Sequence, residues 1–329
     1  MEQPPARHRV AYIQAASHSG STLLAMLLNS HPEICTVGEL KITALGDIGR
    51  YRCSCGALIL ECPFWCGVTE DMRRAGFDFD VGNPGTHYGA VRSPLAQRLL
   101  RPLHRGPAFE WLRDSALAFA PGWNAHLAAT QARNAALIGS VLARSGKNVI
   151  VDSSKIGMRL KFLLRNPALD VRVVRVKRDG RAVALTYMDP EHFADARNPA
   201  LRGGGSGASR EAERLSAADA AREWLRSNEE AEAVLAGVAP QRRLEVSYEG
   251  LCADTEGTLR RIFTFLGVDA ARERPPFRAA VHHVVGNGMR LDSTNEVRLD
   301  ERWRDALTDD DLRIFDAVAG QMNRRLGYS

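Results

Sequence analysis

At 329 residues, 45% hydrophobic and 25% charged, the chain is long enough to bury a sizeable core and too apolar to be disordered. Its formal net charge of +5 is spread without a long basic run, which suits an anionic small ligand and argues against a nucleic-acid polymer. No stretch approaches the roughly 18 apolar residues of a membrane span and no long apolar run follows the first residues, so neither anchor nor signal peptide is expected, and a cytoplasmic location is.

In chain order, the hydrophobic periodicity predicts a strand over 9–15, a helix over 21–30, a loop-rich cysteine segment at 51–66 and mixed helical material over 88–145. A strand at 148–152, a helix at 157–165, a strand at 171–176 and a helix at 180–188 come next. A polar stretch from about Asp189 to Arg214, with Gly203-Gly204-Gly205-Ser206-Gly207 inside it, reads as a surface loop or a substrate lid. A helix at 216–236, a strand at 243–247, a helix at 254–266, an irregular basic segment at 282–304 and a helix at 308–326 complete the pattern. Short β-branched strands alternating with helices predict an α/β fold, a parallel sheet flanked by helices with ligands at the carboxyl ends of its strands. One domain over 1–329 is expected, with a substrate-shaping insertion at 67–135.

Two strand-turn-helix junctions carry the chemistry. The first, Ser17-His18-Ser19-Gly20-Ser21-Thr22, follows Val10-Ala11-Tyr12-Ile13 and opens an apolar helix, so its backbone N–H groups and hydroxyls converge where a helix dipole favours an anion. The generic nucleoside-triphosphate loop needs Lys where Ser21 stands and Gly where Ala15 or Ala16 stands, which disfavours an ordinary ATPase, GTPase or nucleotide kinase. The second junction runs from Val171-Arg172-Val173-Val174-Arg175-Val176 through Lys177-Arg178-Asp179-Gly180-Arg181 into a helix bearing Thr186.

Together these junctions resemble the 5′-phosphosulfate and 3′-phosphate motifs of the sulfotransferases, which use 3′-phosphoadenosine 5′-phosphosulfate (PAPS). The resemblance implies a P-loop-NTPase-like sulfotransferase fold of a bacterial type, and PAPS as co-substrate held by residues 17–22. It implies that Arg178 and Thr186 grip the 3′-phosphate, Thr keeping the hydroxyl of the Ser usual there. Tyr248, in Tyr248-Glu249-Gly250-Leu251 ahead of Phe265-Leu266-Gly267, matches a further family landmark and is assigned to the cofactor site. Gly286-Asn287-Gly288-Met289-Arg290 resembles the C-terminal phosphate loop, with Gly288 for close backbone approach and Arg290 as donor, and Arg298 as the fallback. By analogy with tyrosylprotein sulfotransferases, Glu39 in Val37-Gly38-Glu39-Leu40 is the expected base, one residue further along than in those enzymes. Lys155, ending Asp152-Ser153-Ser154-Lys155, is expected to stabilise the leaving oxygen, while Ser153 and Ser154 either donate to phosphate or cap the helix near Ile156. His18 replaces the usual Arg or Lys and is read as a cation in the presence of a phosphate dianion, as a general acid, or as a neutral donor. The implied acceptor is a hydroxyl of a small molecule, carbohydrate or lipid rather than a protein tyrosine. A non-catalytic binder that kept the cleft is the reading from another class, and His18 is its support.

Cys53, Cys55, Cys62 and Cys66 cluster, with Cys35 and Cys252 apart. Structural zinc, disulfides, buried thiols and a redox role are all open, because Cys-x-Cys followed by Cys-x3-Cys is not a standard zinc-ribbon spacing. A Cys-x-Cys-Gly and Glu-Cys-Pro-Phe-Trp segment resembles one in a bacterial branch of the sulfotransferases. His282-His283 lies outside metal-like spacing and is read as structural or acceptor-facing, not as a metal pair.

Overall fold

The computed structural model describes residues 7–41, 45–101, 106–189, 214–286, 288–291 and 295–329. Strands β1 (His8–Ala15), β2 (Ile34–Thr36), β3 (Val149–Asp152), β4 (Leu169–Lys177) and β5 (Arg243–Ser247) form one parallel sheet in the order β2-β3-β1-β4-β5. Val10 pairs with Ile150 on one side and with Val171 on the other, so β1 is the centre of the sheet. The strand order reverses direction at β1, which opens a crevice at its carboxyl end between the neighbouring β3 and β4.

Alternation along β1 divides the core. Val10 and Tyr12 pack with one buried cluster, and Ala11, Ile13 and Ala15 with another. The first cluster is supplied by α2 (Pro63–Arg74), α3 (Pro94–Leu99), α4 (Pro107–Ala118), α5 (Trp123–Ser145) and α6 (Gly157–Leu164). After α7 (Gly180–Met188) and α8 (Ala217–Leu235) come α9 (Tyr248–Ala253) and α10 (Thr255–Leu266), which cover the opposite face with α1 (Ser21–Asn29). A third cluster joins α7, α8 and α12 (Asp309–Arg325) around Trp224 and Phe315, and the one-turn α11 (Trp303–Ala306) leads into α12.

Four of the five strands lie where the periodicity predicts them. β2 was not expected: Ile34-Cys35-Thr36 is too short to show alternation, and is identified only by pairing with β3. The helical material over 88–145 resolves into α3, α4 and α5, while α2 begins inside the cysteine segment at Pro63, a residue suited to the first turn of a helix. α9 starts directly after β5, capped by Ser247 accepting from the Gly250 N–H at 3.0 Å. The glycine-rich loop at 203–207 lies outside the described residues.

Candidate active site

Both phosphate-type junctions fall at the crevice. In the first, Gly20 has φ 80° and caps α1 without a side-chain hydrogen bond, and the first turn of α1 carries no acidic residue. A Cβ on Gly20 would stand 2.5 Å from the Tyr248 ring, so this position excludes any larger residue on both backbone and steric grounds. The N–H groups that open α1 therefore face the crevice with the positive end of the helix dipole behind them. His18, at φ 63°, is one of two non-glycine residues with positive φ among the described residues; the other is Lys155, at φ 67°. They lie at the ends of β1 and β3, which are adjacent strands, and such strained backbone concentrates at functional sites.

Arg178 locks the second junction to the first. Its Nη1 donates to the His18 carbonyl at 2.6 Å and its Nη2 to Asp300 Oδ2 at 3.0 Å, while the guanidinium lies 4.3 Å from the centroid of the Tyr248 ring. Its Nε is buried and has no partner among the described residues, a donor left for a ligand. Burial would raise the Asp300 carboxyl, but Arg302 and Arg178 hold it well below the usual carboxylate range. Burial pushes the Tyr248 hydroxyl up to about 12, so it stays a donor, to the Arg298 carbonyl at 3.1 Å. Thr186 is buried, and its hydroxyl donates to the Ala182 carbonyl one turn back in α7 at 3.2 Å.

On the other side of β1, Glu39 and Lys155 come together from positions far apart in sequence. Lys155 Nζ donates to Glu39 Oε1, and Lys41 Nζ reaches Glu39 Oε2 at 3.3 Å. Gly38 places Glu39: its N–H donates to Thr36 Oγ1 at 3.0 Å and its carbonyl accepts from the Ser153 N–H at 2.9 Å. At φ 83°, with the Val285 carbonyl 2.3 Å from where a Cβ would be, only glycine fits there. Burial alone would raise the Glu39 carboxyl, but Lys155 and Lys41 outweigh it and hold it at about 2. The His18 imidazole goes the opposite way: burial, then Lys155 and Arg178, push it down to about 3. In this state it is neutral at pH 7, with its ring edge-on to Tyr187 at 4.9 Å.

A buried ion pair carries the Lys155 turn. Asp152 accepts from Arg159 Nε at 3.0 Å and from the Ser154 backbone N–H at 2.9 Å, and the Ser154 hydroxyl accepts from the Lys41 N–H at 3.0 Å. Neither serine caps α6. That role belongs to Glu230 of α8, whose Oε1 accepts from the Met158 N–H at 2.8 Å, an arrangement invisible to local sequence. The Ser153 hydroxyl is buried without a partner among the described residues.

Arg290 lies 4.3 Å from the centroid of the Tyr51 ring, donating to the Arg52 carbonyl at 3.0 Å and the Gly286 carbonyl at 2.6 Å. Gly288 is buried at the start of the same one-turn 3-10 segment, and Asn287 lies outside the described residues. Gly286 would place a Cβ 3.6 Å from Glu39 Cγ, so this segment borders the glutamate side of the crevice. The fallback Arg298 is exposed and pairs with Glu296. Trp303 is buried, with Arg181 and Arg304 over its ring.

A cavity of about 390 Å³ opens beside these groups, lined by Ser17, Lys41, Lys155, Tyr88, Glu223 and Arg226 among others. The α8 residues in this lining, and Lys41, Asp300 and Tyr187, were missed in the sequence because none stands in a motif. Only the meeting of distant elements reveals them.

The model of the sulfotransferase family matches residues 162–272, which contain Arg178, Thr186 and Tyr248. Over this segment the chain is similar to the sulfotransferase family. The matched part is about a third of the chain, and the sulfotransferase signal thus comes from the β4-to-α10 half of the crevice, whereas residues 17–22, Glu39 and Lys155 lie ahead of it. No curated protein matches the chain. Among solved structures, the chain is similar to the sulfotransferase domain of the Synechococcus PCC 7002 olefin synthase at 17% identity, covering 96% of this chain and 97% of that one, with a TM-score of 0.46. It is similar to the sulfotransferase domain from the curacin biosynthetic pathway at 15% identity, covering 99% of each chain, with a TM-score of 0.47. Retinol dehydratase in complex with retinol and PAP shows 15% identity over 97% of this chain and 82% of that one, with a TM-score of 0.40. Among the described residues, no helix is long and apolar enough to cross a membrane.

Proposed function

We propose that this protein transfers the sulfuryl group of PAPS to a hydroxyl of a small molecule, carbohydrate or lipid, acting as a single domain in the cytoplasm. The observation that carries this reading is the pairing of Glu39 with Lys155 beside an uncapped helix N-terminus, with Arg178 and its unpartnered Nε across β1. In the reaction, the acceptor oxygen attacks sulfur in line. The bond from sulfur to the bridging oxygen of the 5′-phosphate breaks with its electron pair on that oxygen, giving a sulfate ester and 3′,5′-ADP.

Each residue has a defined part. The N–H groups of residues 20–22 and the hydroxyls of Ser17, Ser19, Ser21 and Thr22 hold the phosphosulfate, and Lys155 neutralises the leaving oxygen. Arg178 and Thr186 hold the 3′-phosphate, the threonine hydroxyl turning from Ala182 to do so. Glu39 takes the acceptor proton. Its pairing with Lys155 makes it a weak base at first, and transfer of Lys155 to the phosphosulfate removes the main partner that holds its pKa down, so nucleophile activation is tied to donor binding. The cavity beside Lys155 has the size of a small-ligand site, and its charged lining suits a polar, hydroxylated acceptor.

Calorimetric titration with 3′,5′-ADP and with Mg-ATP, followed by a PAPS turnover assay over sugar, lipid and phenol acceptors, tests this. Metal-free binding of 3′,5′-ADP with sulfate-ester formation is expected. Preference for Mg-ATP would replace the reading with a kinase, and 3′,5′-ADP binding without turnover on any acceptor class would replace it with a non-catalytic binder.

A further inference from the structure

The four-cysteine cluster predicted from sequence is not the cluster the fold assembles. Cys66 is exposed, with its thiol on the Leu60 carbonyl at 3.2 Å, and its place is taken by His283 from more than 200 residues away. This corrects the expectation that His283 stands apart from any metal-type group: the ligand atoms of Cys53, Cys55, Cys62 and His283 all lie within 4.8 Å of one another.

We propose that Cys53, Cys55, Cys62 and His283 Nδ1 form a structural zinc site. With Zn–S of about 2.3 Å and Zn–N of about 2.0–2.1 Å, a tetrahedral ion sets S–S edges of about 3.8 Å and S–N edges of about 3.6 Å. Of the six edges, three are 3.7 Å for Cys55 to Cys62, 3.8 Å for Cys53 to His283 and 3.5 Å for Cys62 to His283, and the other three lie within 4.8 Å. A disulfide would bring two sulfurs to about 2.05 Å and would leave the imidazole without a role. The imidazole is also oriented as a ligand must be. Phe64 stacks flat on it, with centroids 4.3 Å and planes 4° apart, and Trp65 Nε1 donates to the His283 carbonyl at 3.2 Å. Three thiolates and one neutral imidazole make a closed, soft donor set with no open position, which fits structural zinc and not a catalytic metal.

The site is a staple with a consequence for the crevice. It joins the 53–62 segment to residues 283–286, where Ser54 and Val284 exchange hydrogen bonds at 2.8 and 3.2 Å. Val285 then donates to the Val37 carbonyl at 3.0 Å, immediately before Gly38 and Glu39. Zinc thus holds the wall against which Glu39 is seated.

Metal analysis of the purified full-length chain is expected to give about one zinc per chain. His283→Ala should lower this at least tenfold, whereas Cys66→Ser should leave it unchanged. Cobalt substitution should give a thiolate charge-transfer band with the intense visible absorption of tetrahedral cobalt. Where His283→Ala fails to fold, alkylation of the unaltered protein with and without zinc replaces it: zinc should protect Cys53, Cys55 and Cys62 and leave Cys66 reactive. The proposal is overturned by metal-free protein that takes up no zinc after reduction, by Cys66→Ser losing metal as His283→Ala does, or by equal alkylation of all four thiols.

Discussion

Replacing Glu39 by glutamine separates catalysis from stability in one variant. The amide keeps the shape and an acceptor oxygen for one lysine but removes the charge that Lys155 and Lys41 share. As the base, Glu39 should account for about 10²–10⁴-fold in turnover, so Glu39→Gln should lose that much while 3′,5′-ADP affinity stays nearly unchanged. An artificial sulfuryl donor with a good leaving group should suffer as much as PAPS, because the lost function serves the nucleophile. The stability change has its own pH signature. A carboxyl held at about 2 instead of 4.5 contributes roughly 3 kcal/mol as an upper bound. Because the folded-state pKa is depressed, this contribution is complete above about pH 4.5 and is lost as pH falls through 2. Urea denaturation of wild type and variant should therefore show a constant gap from pH 8 to about 5.5, narrowing below 4.5. Near wild-type turnover in Glu39→Gln, or a stability gap that widens in acid, would refute both the role and the electrostatic reasoning.

Arg178→Ala should weaken 3′,5′-ADP by roughly 1.5–3 kcal/mol and 5′-AMP hardly at all, by calorimetry; equal losses would remove the 3′-phosphate from Arg178. Asp300→Asn should tighten 3′,5′-ADP several-fold at low salt, since the carboxylate now occupies the guanidinium a phosphate would use, and weaker binding would show that Asp300 serves to orient Arg178 instead. Gly20→Ala should destabilise the fold by about 1–3 kcal/mol and abolish nucleotide binding, because the added methyl meets the Tyr248 ring in a strained backbone; unaltered melting would contradict the packing. His18 is depressed to about 3, so between its ordinary 6.5 and that value the unfolded chain binds the extra proton, and stability falls as pH is lowered, by up to about 1.4 kcal/mol per pH unit. His18→Asn, which tolerates the left-handed backbone, should flatten that slope between pH 6.5 and 4.5, and an unchanged slope would place the titrating group elsewhere.

What was legible in the sequence was whatever is written locally. The junctions at Ser17–Thr22 and Lys177–Arg181 each combine β-branched strand, turn and helix within a short window, and both lie at the crevice as expected. Glu39 and Lys155 are singled out through the resemblance to the tyrosylprotein sulfotransferases, but their direct pairing depends on β2 and β3 lying side by side, and β2 is three residues long. The caps and ligands that went unseen share one cause. Glu230 caps a helix in another part of the chain, Asp300 engages an arginine across the crevice, and His283 completes a cysteine group, and no periodicity links such residues.

The central position of β1 has a consequence for how the protein is made. Of the five strands β1 is synthesised earliest, yet both of its partners follow long afterwards, β3 and β4 lying beyond the whole 63–145 helical segment. Until they emerge, its apolar faces and open edges are exposed, a state prone to aggregation and slow to resolve because the closing contacts are distant. Premature termination before β4 would release a chain with residues 17–22 but without Arg178, and so with only one half of the proposed nucleotide site. Nucleotide added during synthesis should therefore improve yield only after residues through β5 and α9, with Tyr248, have cleared the exit tunnel.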